Sequence, residues 1–235
     1  MEISVIGSSS IDNGIGSWDL KTGTEQLRFK HCASPAHGLT AVGDKFLAAS
    51  QLRNASGSSG SIFFWSWNKP QAEVKSFPLE SITARAANME RNLHRWWWSL
   101  WRYLSLGGKR VSSGKLLKKW HGHYQSVTCL LFSGDDSLLV SGSKDGYVRV
   151  WLFDDIQRQQ QGSTLYEHDF NEHTTSVTDI VIDYGGCNAL LVTASEDCTC
   201  KVWSLSKGKL LRNIIFPAAI NALALDPGGA FFLCW

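Results

Sequence analysis

The chain has 235 residues, 43% hydrophobic and 19% charged, so it can bury a sizeable core and is not globally disordered. A net charge of +2 does not provide the concentrated basic face expected where nucleic acid is the main partner. The length suits one large all-β domain or two small ones.

In chain order, the N-terminus has no basic stretch followed by an apolar run, so no secretory leader is expected. Asn54-Ala-Ser is accordingly discounted as a glycosylation acceptor. Gly14-Ile-Gly-Ser-Trp-Asp19 reads as the end of a first β repeat. His37-Gly38, Phe46–Ser50 and Ser61–Trp65 make a second, with a flexible Ser/Gly loop over Asn54–Gly60.

The next repeat is irregular. Between Thr83 and Ser113, where strands should end in a Gly-Asp-x-x-x-Trp pattern, the sequence runs Arg95-Trp-Trp-Trp-Ser-Leu-Trp-Arg-Tyr-Leu-Ser-Leu-Gly-Gly-Lys109. About 14 residues interrupted by arginines fall short of a membrane span. Trp has the single codon TGG. Read one base later, Trp96, Trp97 and Trp98 become three glycines, and permitted codons turn the remainder into Leu-Ser-Gly-Asp-Ile-Tyr-Leu-Trp-Glu-Val. Residues 90–112 are therefore read as translated out of frame.

Two strong repeats follow. His123 to Phe132, Leu138 to Gly146 and Tyr147 to Trp151 align with His173 to Ile182, Leu190 to Asp197 and Cys198 to Trp203. The offset is 50 residues at the His and 52 at the Trp. Each contains three short apolar runs, with Val127, Cys129 and Leu131 (or Val177, Asp179 and Val181) expected on one face. Asp135-Asp136, Asp145-Gly146 and Gly185-Gly186 supply turn chemistry, and a weaker fourth strand should follow each Trp. Residues 152–172 read as a polar surface insertion, and 219–229 as the start of one more repeat.

Four strands in about 40–45 residues describe a propeller blade. The expected fold is all-β: an incomplete WD-repeat β-propeller of about four to five recognisable blades, one of them scrambled. The blades are placed at 1–35, 36–78, 79–120 (degenerate), 121–170, 171–214 and 215–235 (truncated).

Within the two strong repeats His, Ser/Thr, Asp and Trp recur at matched positions. They are His123, Ser141 or Ser143, Asp145 and Trp151, then His173, Thr193 or Ser195, Asp197 and Trp203. These residue types also build nucleophilic triads. An enzyme does not repeat its triad once per structural repeat, whereas a buried indole, hydroxyl and imidazole each need a partner. The sets are therefore read as a structural network within each blade, and no catalytic residue is expected.

Other chemistry is thin. Cys198-x-Cys200 would put two thiols on one strand face, but a metal site wants a second such pair and none exists. The six cysteines have no framework spacing and read as free thiols. Ser113-Gly114-Lys115 lacks the flanking residues of a phosphate loop. No cofactor, metal, membrane, small-molecule substrate or direct nucleic-acid site is expected.

The sequence resembles the WD-repeat family. More narrowly, it is similar to the group of plant root initiation defective proteins, WD repeat-containing protein eighteen and the WD subunit of the Rix complex. The residues that carry this include Gly14–Asp19, Ser34–Leu39, Phe64–Pro70, Gly114–Trp120, Thr178–Gly186, Lys201–Leu205 and Asn221–Pro227. The resemblance implies a nuclear protein-interaction scaffold for large-subunit pre-ribosome maturation and rRNA processing, with a possible link to pre-replicative complex assembly. Its partners would be proteins of a pre-ribosomal assembly. A generic adaptor, such as a ubiquitin-ligase substrate receptor, is the alternative.

Overall fold

A computed structural model describes residues 4–8, 15–29, 36–42, 46–51, 61–72, 74–76, 103–106, 116–120, 122–152, 167–183, 189–226 and 232–234. Among these every regular element is a β-strand. Most of the stretch read as out of frame lies outside the described residues; within it, Tyr103–Leu106 forms strand β8. The Asn54–Gly60 loop also lies outside them.

Three sheets have four strands each, all antiparallel and in sequential order. The first comprises β4 (Ala36–Val42), β5 (Phe46–Gln51), β6 (Ser61–Ser66) and β7 (Val74–Ser76). The second comprises β10 (Val127–Phe132), β11 (Leu138–Ser143), β12 (Val148–Leu152) and β13 (His168–Phe170). The third comprises β14 (Val177–Ile182), β15 (Leu190–Ser195), β16 (Thr199–Ser204) and β17 (Lys209–Ile215). A three-stranded sheet is built from β1 (Ser4–Ser8), β2 (Ile15–Asp19) and β3 (Glu25–Phe29). Two-stranded sheets join β8 to β9 (Leu116–Trp120) and β18 (Leu223–Leu225) to β19 (Phe232–Cys234). The chain divides into two compact units, one holding β1–β7 and the other β10–β19.

Residues 152–172 do more than loop out. His168–Phe170 pairs back on β12, with Val148 opposite Phe170, and so supplies the fourth strand of its sheet. The excursion is therefore the β12–β13 connection, and residues 153–166 lie outside the described residues.

In the first unit, Ile15, Phe29, Leu47, Phe63 and Trp65 form one buried cluster. The Trp65 indole, wholly buried, stacks on Phe63 at 5.7 Å and is tilted against Phe29 at 6.0 Å. The second unit repeats this contact: Phe170, on the last strand of its sheet, stacks on Trp203 of the next sheet at 4.4 Å. An aromatic from the outer strand of one sheet thus covers the indole of the following one. Strands β11, β12, β15 and β16 are buried along nearly their whole length, because the second unit is packed sheet on sheet. The outermost strand β17 is largely exposed.

The simple alternation expected for the first strands fails, and the reason is local. Register shifts between Val127 and Cys129 in β10, and between Val177 and Asp179 in β14. Each is a β-bulge, which inserts a residue and changes the face of those that follow. Val127, Leu130 and Phe132 are buried in β10, while Cys129 and Leu131 are only partly covered. The residue at each bulge is a Thr whose hydroxyl reaches the next sheet. Thr128 donates to the Val177 carbonyl at 2.5 Å, and Thr178 donates to the Ile220 carbonyl at 2.6 Å.

Gly142 sits where two sheets approach most closely. A Cβ there would lie 2.6 Å from Cys129 Sγ, 2.7 Å from Val177 Cγ1 and 3.0 Å from Ile180 Cδ1. The matched residue of the next sheet is Ala194, also buried. Gly142→Val is therefore expected to lower unfolding stability by about 2–3 kcal/mol through overpacking, as measured by denaturant melts.

Candidate functional site

The recurrent polar residues come together in two copies. In the first, His123 leads into β10, Ser141 lies on β11, Asp145 occupies the β11–β12 turn and Trp151 ends β12. The His123 Nδ1 lies 3.2 Å from each carboxylate oxygen of Asp145, and Nε2 lies 2.8 Å from Ser141 Oγ. The Trp151 indole N–H donates to the same Ser141 Oγ at 3.0 Å. The second copy matches: His173 Nδ1 is 2.9 Å from Asp197, His173 Nε2 is 2.7 Å from Thr193 Oγ1, and the Trp203 indole N–H donates to Thr193 at 3.0 Å.

Donor counting fixes the direction of the relay. A neutral imidazole has one N–H and one acceptor nitrogen. Nδ1 faces a carboxylate, which only accepts, so the proton sits on Nδ1. Nε2 then accepts the hydroxyl proton of Ser141 or Thr193, whose oxygen in turn accepts from the indole. Every polar atom along the chain of indole, hydroxyl, imidazole and carboxylate is used once in the right sense.

The carboxylates also organise backbone. Asp145 accepts the N–H of Tyr124 at 2.8 Å and of Tyr147 at 3.0 Å. Asp197 accepts those of Thr174 at 3.1 Å and Thr199 at 3.0 Å. Each Asp thereby ties its own turn to the loop entering the first strand.

Of the paired alternatives, Ser141 and Thr193 touch the imidazole and indole. Ser143 and Ser195 do a different task two residues on. Ser143 Oγ donates to the Gln125 carbonyl at 3.2 Å and accepts the Asp145 N–H at 3.2 Å. Ser195 Oγ donates to the Ser176 carbonyl at 2.9 Å and accepts the Asp197 N–H at 3.1 Å.

Burial sets the charge states. Burial pushes both His123 and His173 below the ordinary imidazole value of 6.5, against the opposing pull of Asp145 and Asp197, so both rings are neutral at pH 7. Burial pushes the two carboxyls up, but donated hydrogen bonds outweigh it. Those from His123, Tyr147 and Tyr124 hold Asp145 at about 2, and those from Thr199, His173 and Thr174 hold Asp197 at about 2. Ser141, Thr193 and both indoles are essentially inaccessible to solvent.

Two features were not anticipated from sequence. Arg149, buried on β12, contacts the Gly122 carbonyl and pairs with Asp169 opposite it on β13 at 3.4 Å. Its guanidinium lies 5.2 Å from the Tyr147 ring centre and 5.7 Å from that of Tyr124. The matched position of the next sheet holds buried Lys201, which donates to Asn213 at 3.0 Å. The cation at one offset of 52 residues was the available sequence signal. The second feature is the pair of Thr hydroxyls at the bulges.

Cys198 and Cys200 do not share a strand face. Cys198 lies in the β15–β16 turn with φ of 64°, the conformation that Gly146 supplies at φ of 82° in the preceding sheet. Cys200 is wholly buried on β16. Among the described residues no group of three or more His, Cys, Asp or Glu side chains could hold a metal.

The WD domain, G-beta repeat family model matches residues 114–151 and 164–204. The chain is 71% identical to Protein ROOT INITIATION DEFECTIVE 3 of Arabidopsis thaliana, over 99% of this chain and 53% of that protein. It is 29% identical to WD repeat-containing protein 18 of Bos taurus, over 92% of this chain and 49% of that protein. It is 30% identical to the pre-rRNA-processing protein IPI3 of Meyerozyma guilliermondii, over 74% and 42% respectively. The chain thus spans about half the length of the curated relatives it matches. A crystal structure of the computationally designed Ika8 protein superposes with a TM-score of 0.72 at 24% identity, covering 96% of this chain and 63% of that one. That likeness concerns the fold alone.

Asp145→Ala leaves the His123 Nδ1–H and two backbone N–H groups without their acceptor. The expected loss is about 3 kcal/mol, measured by thermal or denaturant unfolding. Acid should act in two stages. The depressed His values give a contribution that is complete above pH 6.5 and falls as pH drops below it. The depressed Asp values give one that is complete above 3.8 and is lost as pH approaches 2. The melting temperature should therefore decline first below pH 6.5 and again below pH 4; a profile flat from pH 7 to 3 would contradict this.

Proposed function

The chain belongs to the WD-repeat family, and from that premise we propose that it is a non-catalytic protein-interaction scaffold in pre-ribosome maturation. The observation that carries the process is the match to a protein named for pre-rRNA processing. On this reading the partners are proteins of a pre-ribosomal assembly that matures the large subunit, and the site of action is the nucleus.

The geometry supports the non-catalytic part. The hydroxyls of Ser141 and Thr193 lie beneath indoles with no exposed surface, and each already accepts one hydrogen bond and donates another. A nucleophile needs a free path to a carbonyl carbon or phosphorus, and neither oxygen has one. The constellation also occurs twice with the same directions, which fits a structural unit repeated with the blade. In this reading the relay clamps the loop before each first strand, so that loops at one end of the blades are held in shape for a partner.

Affinity purification of the tagged protein from nuclear extract tests the proposal. Precursor large-subunit rRNA and its assembly proteins should be enriched, and depletion should cause unprocessed rRNA to accumulate. Recovery of cytoplasmic complexes alone, with rRNA processing unaffected, would overturn it.

A further inference from the structure

We propose that β1 is the acceptor edge for a strand supplied by a sequence-distant part of the same polypeptide, outside the stretch represented by this chain. The argument begins with the position of the indole. In each four-stranded sheet the buried Trp lies on the third strand: Trp65 on β6, Trp151 on β12 and Trp203 on β16. In every case it pairs with a Leu on the second strand, namely Leu47, Leu139 and Leu191. In the three-stranded sheet Trp18 lies on β2, opposite Val5 of β1.

The next turn makes the alignment specific. The β2–β3 pairing carries a register shift at Ser17/Trp18, and the β16–β17 pairing carries one at Val202/Trp203. Five residues after each Trp stands a glycine with left-handed backbone, Gly23 at φ of 67° and Gly208 at φ of 58°. β2 and β3 therefore correspond to the third and fourth strands of a blade, and β1 to the second. The first strand is the one that no described residue supplies.

In the complete sheets the second strand is hydrogen-bonded on both sides: β5 to β4 and β6, β11 to β10 and β12, β15 to β14 and β16. An edge of backbone N–H and C=O groups at that position is a template for one more strand. The occupant's form follows from β4, β10 and β14. It is antiparallel to β1, and each of those three strands carries a register shift near its start, at Ala36/Gly38, Val127/Cys129 and Val177/Asp179. Its source is within the same polypeptide because relatives are about twice as long as this chain and so contain the extra sequence.

Hydrogen–deuterium exchange of the complete polypeptide decides the matter. The probe is the Arabidopsis relative with its matched stretch replaced by this chain. The readout is exchange at the Ser4–Ser8 amides, comparing those that face β2 with those that face away. Both sets should exchange at least about 100-fold more slowly than unfolded peptide, with the mass of a monomer. Protection of only the β2-facing set would overturn the proposal. So would protection of the outward set that rises with concentration alongside a dimeric mass, since a second copy would then be the donor. Ile6→Pro provides the second reading: on the acceptor-edge model it lowers the melting temperature of the complete polypeptide and frees the donor segment to rapid exchange. Rapid exchange confined to residues 4–8 would count against it.

Discussion

The structure depends on one constraint: an indole N–H taken wholly out of water must have an acceptor. Each complete sheet of the second unit buries a Trp between itself and its neighbours, and leaving that N–H unpaired would cost about 1–3 kcal/mol. Ser141 and Thr193 supply the oxygen, but a hydroxyl that accepts must also place its own proton. The imidazole takes it, and the carboxylate takes the imidazole's. The relay ends where it can finally be anchored, in backbone N–H groups of two loops. A local demand at the middle of a sheet is thereby transmitted to the loops at its end, and the two loops are fixed relative to each other.

The contacts between successive sheets of the second unit obey a similar economy. The bulge near the start of each first strand looks like an interruption of the ladder, yet it turns a Thr toward the next sheet, where its hydroxyl meets a carbonyl. The outer-strand Phe170 then closes over Trp203. Hydrogen bonding sets the register of one sheet on the next, and the aromatic contact supplies most of the buried area.

Much of this was legible in the sequence, for reasons that also show where legibility stops. Turn residues and the Trp positions mark the strands because they answer to local chemistry. The matched His, Asp and Trp could be paired by donor and acceptor type alone. Sequence could not choose Ser141 over Ser143, because both lie on one face of β11 and only the distance to the indole separates them. The alternation of Val127, Cys129 and Leu131 misled because a bulge leaves no mark in hydrophobic periodicity. Cys198-x-Cys200 misled for a related reason: the strand begins after the first cysteine, which occupies a left-handed turn. The fourth strand at His168–Phe170 was folded into a supposed insertion because three residues carry too little pattern to stand out. Arg149 escaped notice because a buried cation is unusual, and its partners, Tyr124, Tyr147 and Asp169, come from three separate segments.

Gly142 has a consequence for how such repeats diverge. The two sheets of the second unit share one hydrogen-bonding grammar, but not one shape. The first offers a notch with no side chain, filled by the branched Val177 and Ile180; at the matched place the second presents the methyl group of Ala194, packed in a cluster with Ile220 and Leu223. The two sheets are therefore not interchangeable parts. Each is keyed by volume to the neighbour that follows it, so the order of the repeats is written into their cores, and a duplicated or shuffled repeat would form its own relay yet fail to seat against the wrong companion.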